Sequence, residues 1–467
     1  MTGPLRVRGS FRDPAGFVFE RDGRVYRQVN RSFAARFDEV VASGLYDVLH
    51  AEGLLIPHRE AALYLAASEE AHRVLEPKAI PFVSYPYEWC FGQLKDAALA
   101  TLGAQWAALD RGMTLRDASA YNVQFLEGGP VLIDSLSFEP WTEGRPWAGY
   151  AQFCQHFLAP LAMMSAVDVR LGGLLRVHLD GVPLDLATAL LPRRARLRPS
   201  VWLHLVAHGK AQRRHTRQGE SAPSERSRVS STRFDLRAFR GLVDSLERAV
   251  EGLRWDPPPS VWSEYYGECT TYPPQALNRK ESVVEGFVRE ARPATVWDLG
   301  ANTGRFSRLA ARSGAFTVSL DADHVVVEAG YREARRLHEG RVLPLVVDLV
   351  NPSPAIGWAE EERASLLARG PADLVMALAL VHHLAIANNV PLDRLAAFLA
   401  RVGRWAVVEF VPKEDPQVRA LLATREDVFP DYTVEAFERA IEEPFAVVRK
   451  EGLPGSPRVL YLLRSRS

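Results

Sequence analysis

Cysteine is scarce in this chain. Cys90, Cys154 and Cys269 are its only three, and no two stand in a CxxC spacing. Neither a zinc site nor a disulfide framework is suggested, and a reducing cytoplasm fits best. Excess charge of either sign is also missing, since Lys+Arg and Asp+Glu number 57 each. That disfavours a large basic face for nucleic acid and an acidic solvating tail, while a local patch stays open. The N-terminal stretch MTGPLRVRGSFRDP has no apolar h-region, so no signal peptide is expected. The most apolar long stretch, around 148–175, is interrupted by Gln152, Gln155, His156, Asp168 and Arg170. It reads as buried helix rather than a membrane span, and no membrane partner is expected. No internal repeat is visible.

What is present falls into blocks. Residues 16–30 alternate apolar and polar around Asp22-Gly23, a hairpin signal. A helix with apolar positions at 37, 41, 45, 48 and 49 follows, then a short apolar run near 79–84 and a long helix over about 92–111. Residues 1–208 form the first block. Residues 209–233 are charged and Ser-rich without apolar periodicity, and read as a linker or exposed loop. Residues 234–282 combine a helix-period stretch with an aromatic-rich segment that begins at Pro257-Pro258-Pro259. From 283 to 467, helices and β-rich runs alternate, which predicts a parallel sheet with helices on both faces.

The last block carries a ligand pattern. The strand ATVWDLG runs directly into ANTGRFSRLAA, giving the turn Asp298-Leu-Gly300-Ala-Asn302-Thr-Gly304. The glycine spacing is not GxGxxG and there is no Walker lysine, so a triphosphate fits poorly. A tight glycine turn at a helix N-terminus lets the backbone approach a carboxylate-bearing ligand closely. A second strand ends in Asp321, suited to a ribose, and a third in Asp348, suited to an adenine amino group. A fourth leads into His382-His383, and a fifth ends near Glu409. Asp373 begins its strand and reads as structural.

In order and spacing, residues 283–465 resemble a class I S-adenosylmethionine (SAM)-dependent methyltransferase. The resemblance implies a Rossmann-like, doubly wound α/β sheet closed by an antiparallel pair. It implies SAM as cofactor, with Asp298, Gly300, Asn302 and Gly304 at the methionine end, Asp321 on the ribose and Asp348 facing the adenine. A sulfonium is already activated, so catalysis is mostly positioning, and a base is needed only where the acceptor must lose a proton. His382, His383 and Glu409 are the candidates for that role. Tyr265, Tyr266, Tyr272 and Lys280, in the segment before the first strand, could form a lid or pack the domain junction. Motif IV reads ALALVHHL rather than an Asn-Pro-Pro-Tyr-type run. That favours an oxygen or carbon acceptor.

The first block holds a second pattern. In LRDASAYNVQFLEGGPVLIDSLSF, Asp117 precedes Asn122 by five residues, and Asp134 ends a short strand twelve residues further on. The spacing resembles the catalytic Asp, metal-binding Asn and metal-binding Asp of kinase-like folds. A long helix precedes the loop as in those folds, and IPFVSYPYEW falls where a hinge between lobes would lie. The resemblance implies an α+β kinase-like domain with a nucleotide or substrate site at Asp117, Asn122 and Asp134, and with Arg27 or Arg24 in place of the nucleotide-contacting lysine. Departures are clear. There is no kinase-pattern Gly-rich loop, Leu115 stands where a His would, and IDSLSF replaces Asp-Phe-Gly. ATP and Mg²⁺ are therefore doubtful cofactors, and the residues also fit ordinary turns and helix caps.

Over most of its length the chain resembles a poorly characterised bacterial group of methyltransferases with kinase-like N-terminal halves. The expected reading is a cytoplasmic enzyme that methylates a small-molecule acceptor, with nucleic acid disfavoured. The alternatives are a bifunctional kinase-like methyltransferase, a protein methyltransferase, and a SAM-binding regulator without chemistry.

Overall fold

The computed structural model describes residues 3–207, 209, 234–260, 274–423 and 426–466. It divides into two units, Met1–Asp256 with Gly357–Glu362, and Pro257–Ile356 with Arg363–Ser467.

The first unit opens with an antiparallel sheet in the order β1-β2-β3-β5-β4. Its strands are β1 (Leu5–Arg6), β2 (Gly16–Arg21), β3 (Arg24–Asn30), β4 (His58–Ala61) and β5 (Ala71–Pro77). The Asp22-Gly23 turn joins β2 to β3 with both residues at positive φ, 50° and 74°, as a tight hairpin demands. The apolar positions 37–49 read as one helix, but the structure makes two, Ala34–Ala42 and Leu45–Ala51. Gly44 at φ 70° breaks the register between them.

Residues 78–90 connect this sheet to the long helix Phe91–Asp110, which is buried along most of its length. Two short hairpin-like ladders follow. β6 (Met113–Leu115) pairs with β9 (Phe138–Pro140), and β7 (Val123–Leu126) with β8 (Gly129–Leu132). The apolar stretch after residue 148 is buried helix, Tyr150–Phe153 running on to Ala159–Ala166 through a π-type segment.

The helix Leu236–Glu251 belongs to this unit rather than to a connecting segment. Its apolar face, with Phe239, Val243 and Leu246, is buried. Trp106 Nε1 donates to Glu247, and Lys95 to the Glu251 carbonyl, fixing it against the long helix. Of residues 209–233, all but Gly209 lie outside the described residues, as do Tyr265, Tyr266 and Tyr272.

The second unit is a seven-stranded sheet in the order β12-β11-β10-β13-β14-β16-β15. The strands are β10 (Thr295–Leu299), β11 (Phe316–Asp321), β12 (Val342–Val346), β13 (Ala372–Ala377), β14 (Gly403–Phe410), β15 (Phe445–Gly452) and β16 (Val459–Ser465). Every pairing among β10 to β14 is parallel, and β16 runs antiparallel to both its neighbours. The central strands are near-continuous apolar runs because helices cover both faces. Phe287 and Val288 of the helix Pro274–Ala291, and Phe306 and Leu309 of the helix Arg305–Arg312, pack on Val296, Met376 and Val407. The strand order reverses between β10 and β13, and ligands of open α/β sheets bind at the carboxyl ends beside such a switch.

Candidate functional site

The turn after β10 is built by left-handed backbone. Gly300, Asn302 and Gly304 have φ of 69°, 53° and 81°. A Cβ on Gly300 would stand 3.0 Å from Leu380 Cδ1, so a side chain there would press into the loop after β13. The backbone nitrogens of Gly300 and Ala301 both donate to the Leu320 carbonyl, tying the turn to the end of β11.

Asp321 closes that junction. Its Oδ2 accepts from the Asn302 backbone N–H at 2.8 Å and its Oδ1 from that of Asp323 at 2.9 Å. Both oxygens keep a lone pair for a further donor. Burial raises its pKa, against the pull of those backbone donors. Asp348 sits beyond β12, exposed, with Oδ1 accepting from Val350 N–H.

These residues meet in one cavity of about 220 Å³ lined by Gly300, Asn302, Asp321, Asp348, Leu378, Ala379, Leu380, His383 and Asn388, with neighbours. Asp298 and Gly304 stand outside the lining. Asp298 is buried, and its Oδ2 accepts from Ser307 Oγ at 2.6 Å, which locks the loop to the following helix. Burial pushes its pKa up to about 6. Ser307 carries no sequence signal of this role. Ala379, at φ 51°, is a second contributor that pattern alone conceals.

The candidate bases separate by position. His383 lines the cavity and starts a π-type turn, His383–Ala387, with Asn388 Nδ2 donating to its carbonyl. Burial, followed by the charge of Arg458, lowers its pKa to about 4. His382 lies behind it, fully buried, with ring centroids 4.1 Å apart. Neither His382 ring nitrogen has a hydrogen-bond partner. Burial, then His383 and the cations Arg458 and Lys280, hold its pKa well below the usual histidine range.

Glu409 is fully buried and does not line the cavity. Its Oε2 accepts from Lys280 Nζ at 2.7 Å, and Arg458 Nη1 stands 3.8 Å from Oε1. Arg458 Nε in turn donates to Asp415 at 2.6 Å. Lys280 is therefore a buried structural cation on the helix Pro274–Ala291, not a lid residue. Asp373 accepts from the backbone N–H groups of Ala294 and Thr295, both at 3.0 Å, at the opposite end of the sheet.

The first unit brings Asp117, Asn122 and Asp134 together. Ile133 N–H donates to the Asn122 carbonyl, which sets the two loops side by side. Arg27, not Arg24, reaches the site. Its Nη2 lies 2.5 Å from Asp134 Oδ1, and both side chains are largely buried. Arg24 instead pairs with Glu76 at the surface. Asp134 Oδ1 also accepts from Leu136 N–H and Oδ2 from Ser137 Oγ.

Asp117 accepts from Ser119 N–H, and its pKa is raised by burial and by Asp134. Asn122 lies close enough to favour the ionised form of Asp117, yet its buried Nδ2 makes no hydrogen bond of normal geometry. Two histidines not foreseen from sequence stand nearby, His50 and His58, 3.3 Å apart, the latter held near pKa 4 chiefly by burial. Among the described residues no group of three or more His, Cys, Asp or Glu could hold a metal ion.

Fold and cavity together define an α/β protein with a mostly parallel sheet and a ligand cavity at its strand ends. The chain belongs to the family of nodulation protein NoeA from Rhizobium meliloti (strain 1021), with which it is 39% identical over 465 residues, covering 98% of this chain and 96% of that protein. No protein-family model matches. Among solved structures it is similar to the bifunctional kinase-methyltransferase WbdD (21% identity, TM-score 0.30). That likeness covers 43% of this chain and 41% of WbdD, so it spans less than half of the WbdD chain. It is also similar to magnesium protoporphyrin IX methyltransferase ChlM from Synechocystis PCC 6803 (20%, TM-score 0.30, 41% and 84% covered). A third is the N-methyltransferase NodS from Bradyrhizobium japonicum WM9 (11%, TM-score 0.31, 41% and 97% covered).

Proposed function

We propose that the second unit is a class I methyltransferase domain that binds SAM and methylates an oxygen or carbon of a small molecule. The observation that carries this is the convergence of Gly300, Asn302, Asp321, Asp348 and His383 on one cavity. The donor set suits the cofactor. The glycine turn leaves backbone room for a carboxylate-bearing tail, Asp321 keeps lone pairs for two ribose hydroxyls, and Asp348 stands at the rim to accept from an amino group. When bound, SAM supplies an activated methyl group.

The chain's own part is positioning. The turn and Asp321 orient the ligand, and Asp298 with Ser307 stiffens the turn. His383 lines the cavity and is held neutral at physiological pH by burial, so it would accept an acceptor hydroxyl's hydrogen bond and take up the proton that the hydroxyl gives up when the methyl group leaves the sulfonium for that oxygen. His382, one ring behind, supports His383. Glu409 is consumed by Lys280 and serves the fold.

The first unit is proposed as a kinase-like scaffold that recognises the acceptor. Phosphoryl transfer there is disfavoured, because Arg27 is ion-paired with Asp134 and the sequence has no kinase-pattern Gly-rich loop and no lysine in the hairpin. Calorimetric titration of S-adenosylhomocysteine into the full chain tests the first claim, and failure to bind would overturn it. Labelled-methyl transfer to lysate proteins rather than to small molecules would move the acceptor to the protein class.

A further inference from the structure

The segment 186–207 contains Arg193, Arg194, Arg196 and Arg198 and no Asp or Glu, in a chain whose formal net charge is zero. Its exposure alternates. Leu191, Ala195, Val201 and Leu205 are buried. Facing outward are Leu190, Leu197, Trp202 and Leu203, at 41%, 78%, 50% and 49% exposure. Arg193, Arg194 and Arg198 are exposed beside them.

Three of these arginines are not neutralised by any described carboxylate. Arg24, Arg59, Arg116, Arg170 and Arg240 of the same unit each meet a carboxylate. Arg193, Arg194 and Arg198 meet none among the described residues. Arg196 differs, donating to the Leu191 and Ala189 carbonyls and so bracing the turn.

We propose that this face binds an anionic lipid surface peripherally. Unpaired cations interleaved with exposed Leu and Trp side chains match both layers of such a surface, charged headgroups above and acyl boundary below. A nucleic-acid partner would use the arginines but give the exposed leucines nothing to bury them. No described helix is long and apolar enough to cross a membrane, and surface binding requires none.

The test is flotation of the full chain with mixed phosphatidylcholine–phosphatidylglycerol vesicles against phosphatidylcholine alone. The wild type should float with the anionic vesicles only, and less as salt rises. At about 1 kcal/mol for each arginine near an anionic surface, the triple variant Arg193→Gln/Arg194→Gln/Arg198→Gln should bind roughly a hundredfold more weakly. The double variant Trp202→Ser/Leu203→Ser should lose the part of binding that survives high salt. Equal flotation with neutral vesicles overturns the proposal without any variant. So does unchanged binding by the triple variant, or displacement of the bound protein by a duplex oligonucleotide.

Discussion

Replacing Asp321 by Asn probes the proposed cofactor site with the least change in shape. The carboxylate now accepts two backbone N–H groups, from Asn302 at 2.8 Å and Asp323 at 2.9 Å, and would accept ribose hydroxyls with its remaining lone pairs. Asn keeps one oxygen and turns the other position into a donor. One backbone N–H then loses its acceptor, and one hydroxyl loses a charged partner. A hydrogen bond to a charged group contributes about 1.5–3 kcal/mol. The net loss should be about 2–3 kcal/mol, or roughly 30- to 150-fold in affinity for S-adenosylhomocysteine. Isothermal calorimetry on the full chain reads this directly. Because burial raises the Asp321 pKa, wild-type affinity should also decline with acid earlier than an ordinary aspartate would cause. Affinity within threefold of wild type, with the melting curve unchanged, would refute the assignment of Asp321 to the ligand.

Lys280→Met leaves Glu409 buried without its 2.7 Å partner and should destabilise the second unit by about 3–5 kcal/mol in urea denaturation; a loss below 1 kcal/mol would mean water already reaches the pair. Asp298 has a folded pKa of about 6 against an unfolded value near 3.8. The folded state thus holds the proton more tightly, so the contribution to stability is full below the unfolded pKa and is lost as pH rises through 6, about 3 kcal/mol in all. Asp298→Asn should flatten the fall in stability between pH 4 and 6, and an unaltered pH profile would contradict this. Arg27→Met should release Asp134 from its 2.5 Å ion pair. Calorimetry with ATP and Mg²⁺ should show no wild-type binding; tight metal-dependent binding by the wild type would restore the bifunctional reading.

Local chemistry was legible before the structure. Asp22-Gly23 announces its hairpin because both positions need φ above zero, and the alternation of strands and helices after 283 announces the parallel sheet. Gly300, Asn302, Asp321, Asp348 and His383 could be picked out because each sits where a strand hands over to a loop. What stayed hidden are side-chain pairs distant in sequence. Nothing in the spacing marks Lys280 for Glu409 or Arg27 for Asp134, since complementary charges are common and only the fold selects among them. The helix Leu236–Glu251 shows an amphipathic face, but periodicity does not say which unit covers it.

Five acids illustrate why position along a strand is an incomplete guide to chemistry. Asp298, Asp321 and Glu409 stand at or next to the carboxyl ends of β10, β11 and β14, and Asp348 just beyond β12, whereas Asp373 stands at the start of β13. What separates the first four is the identity of the donor that satisfies each carboxylate. Ser307 and Lys280 meet Asp298 and Glu409 with side chains inside the core, and both acids are turned away from the cavity. Asp321 and Asp348 are met by backbone N–H groups, from Asp323 and the neighbouring turn's Asn302 for the first and from Val350 for the second, which fix the carboxylate while leaving it open toward the cavity. The same criterion gives a mixed result for Asp134, whose Oδ1 meets both Arg27 and the Leu136 N–H and whose Oδ2 accepts from Ser137 Oγ. By that measure Asp134 stands nearer to Glu409 through its buried ion pair, and Asp117 is mixed, with Ser119 N–H on its Oδ1 and the side chains of Asn122 and Gln152 favouring its ionised form.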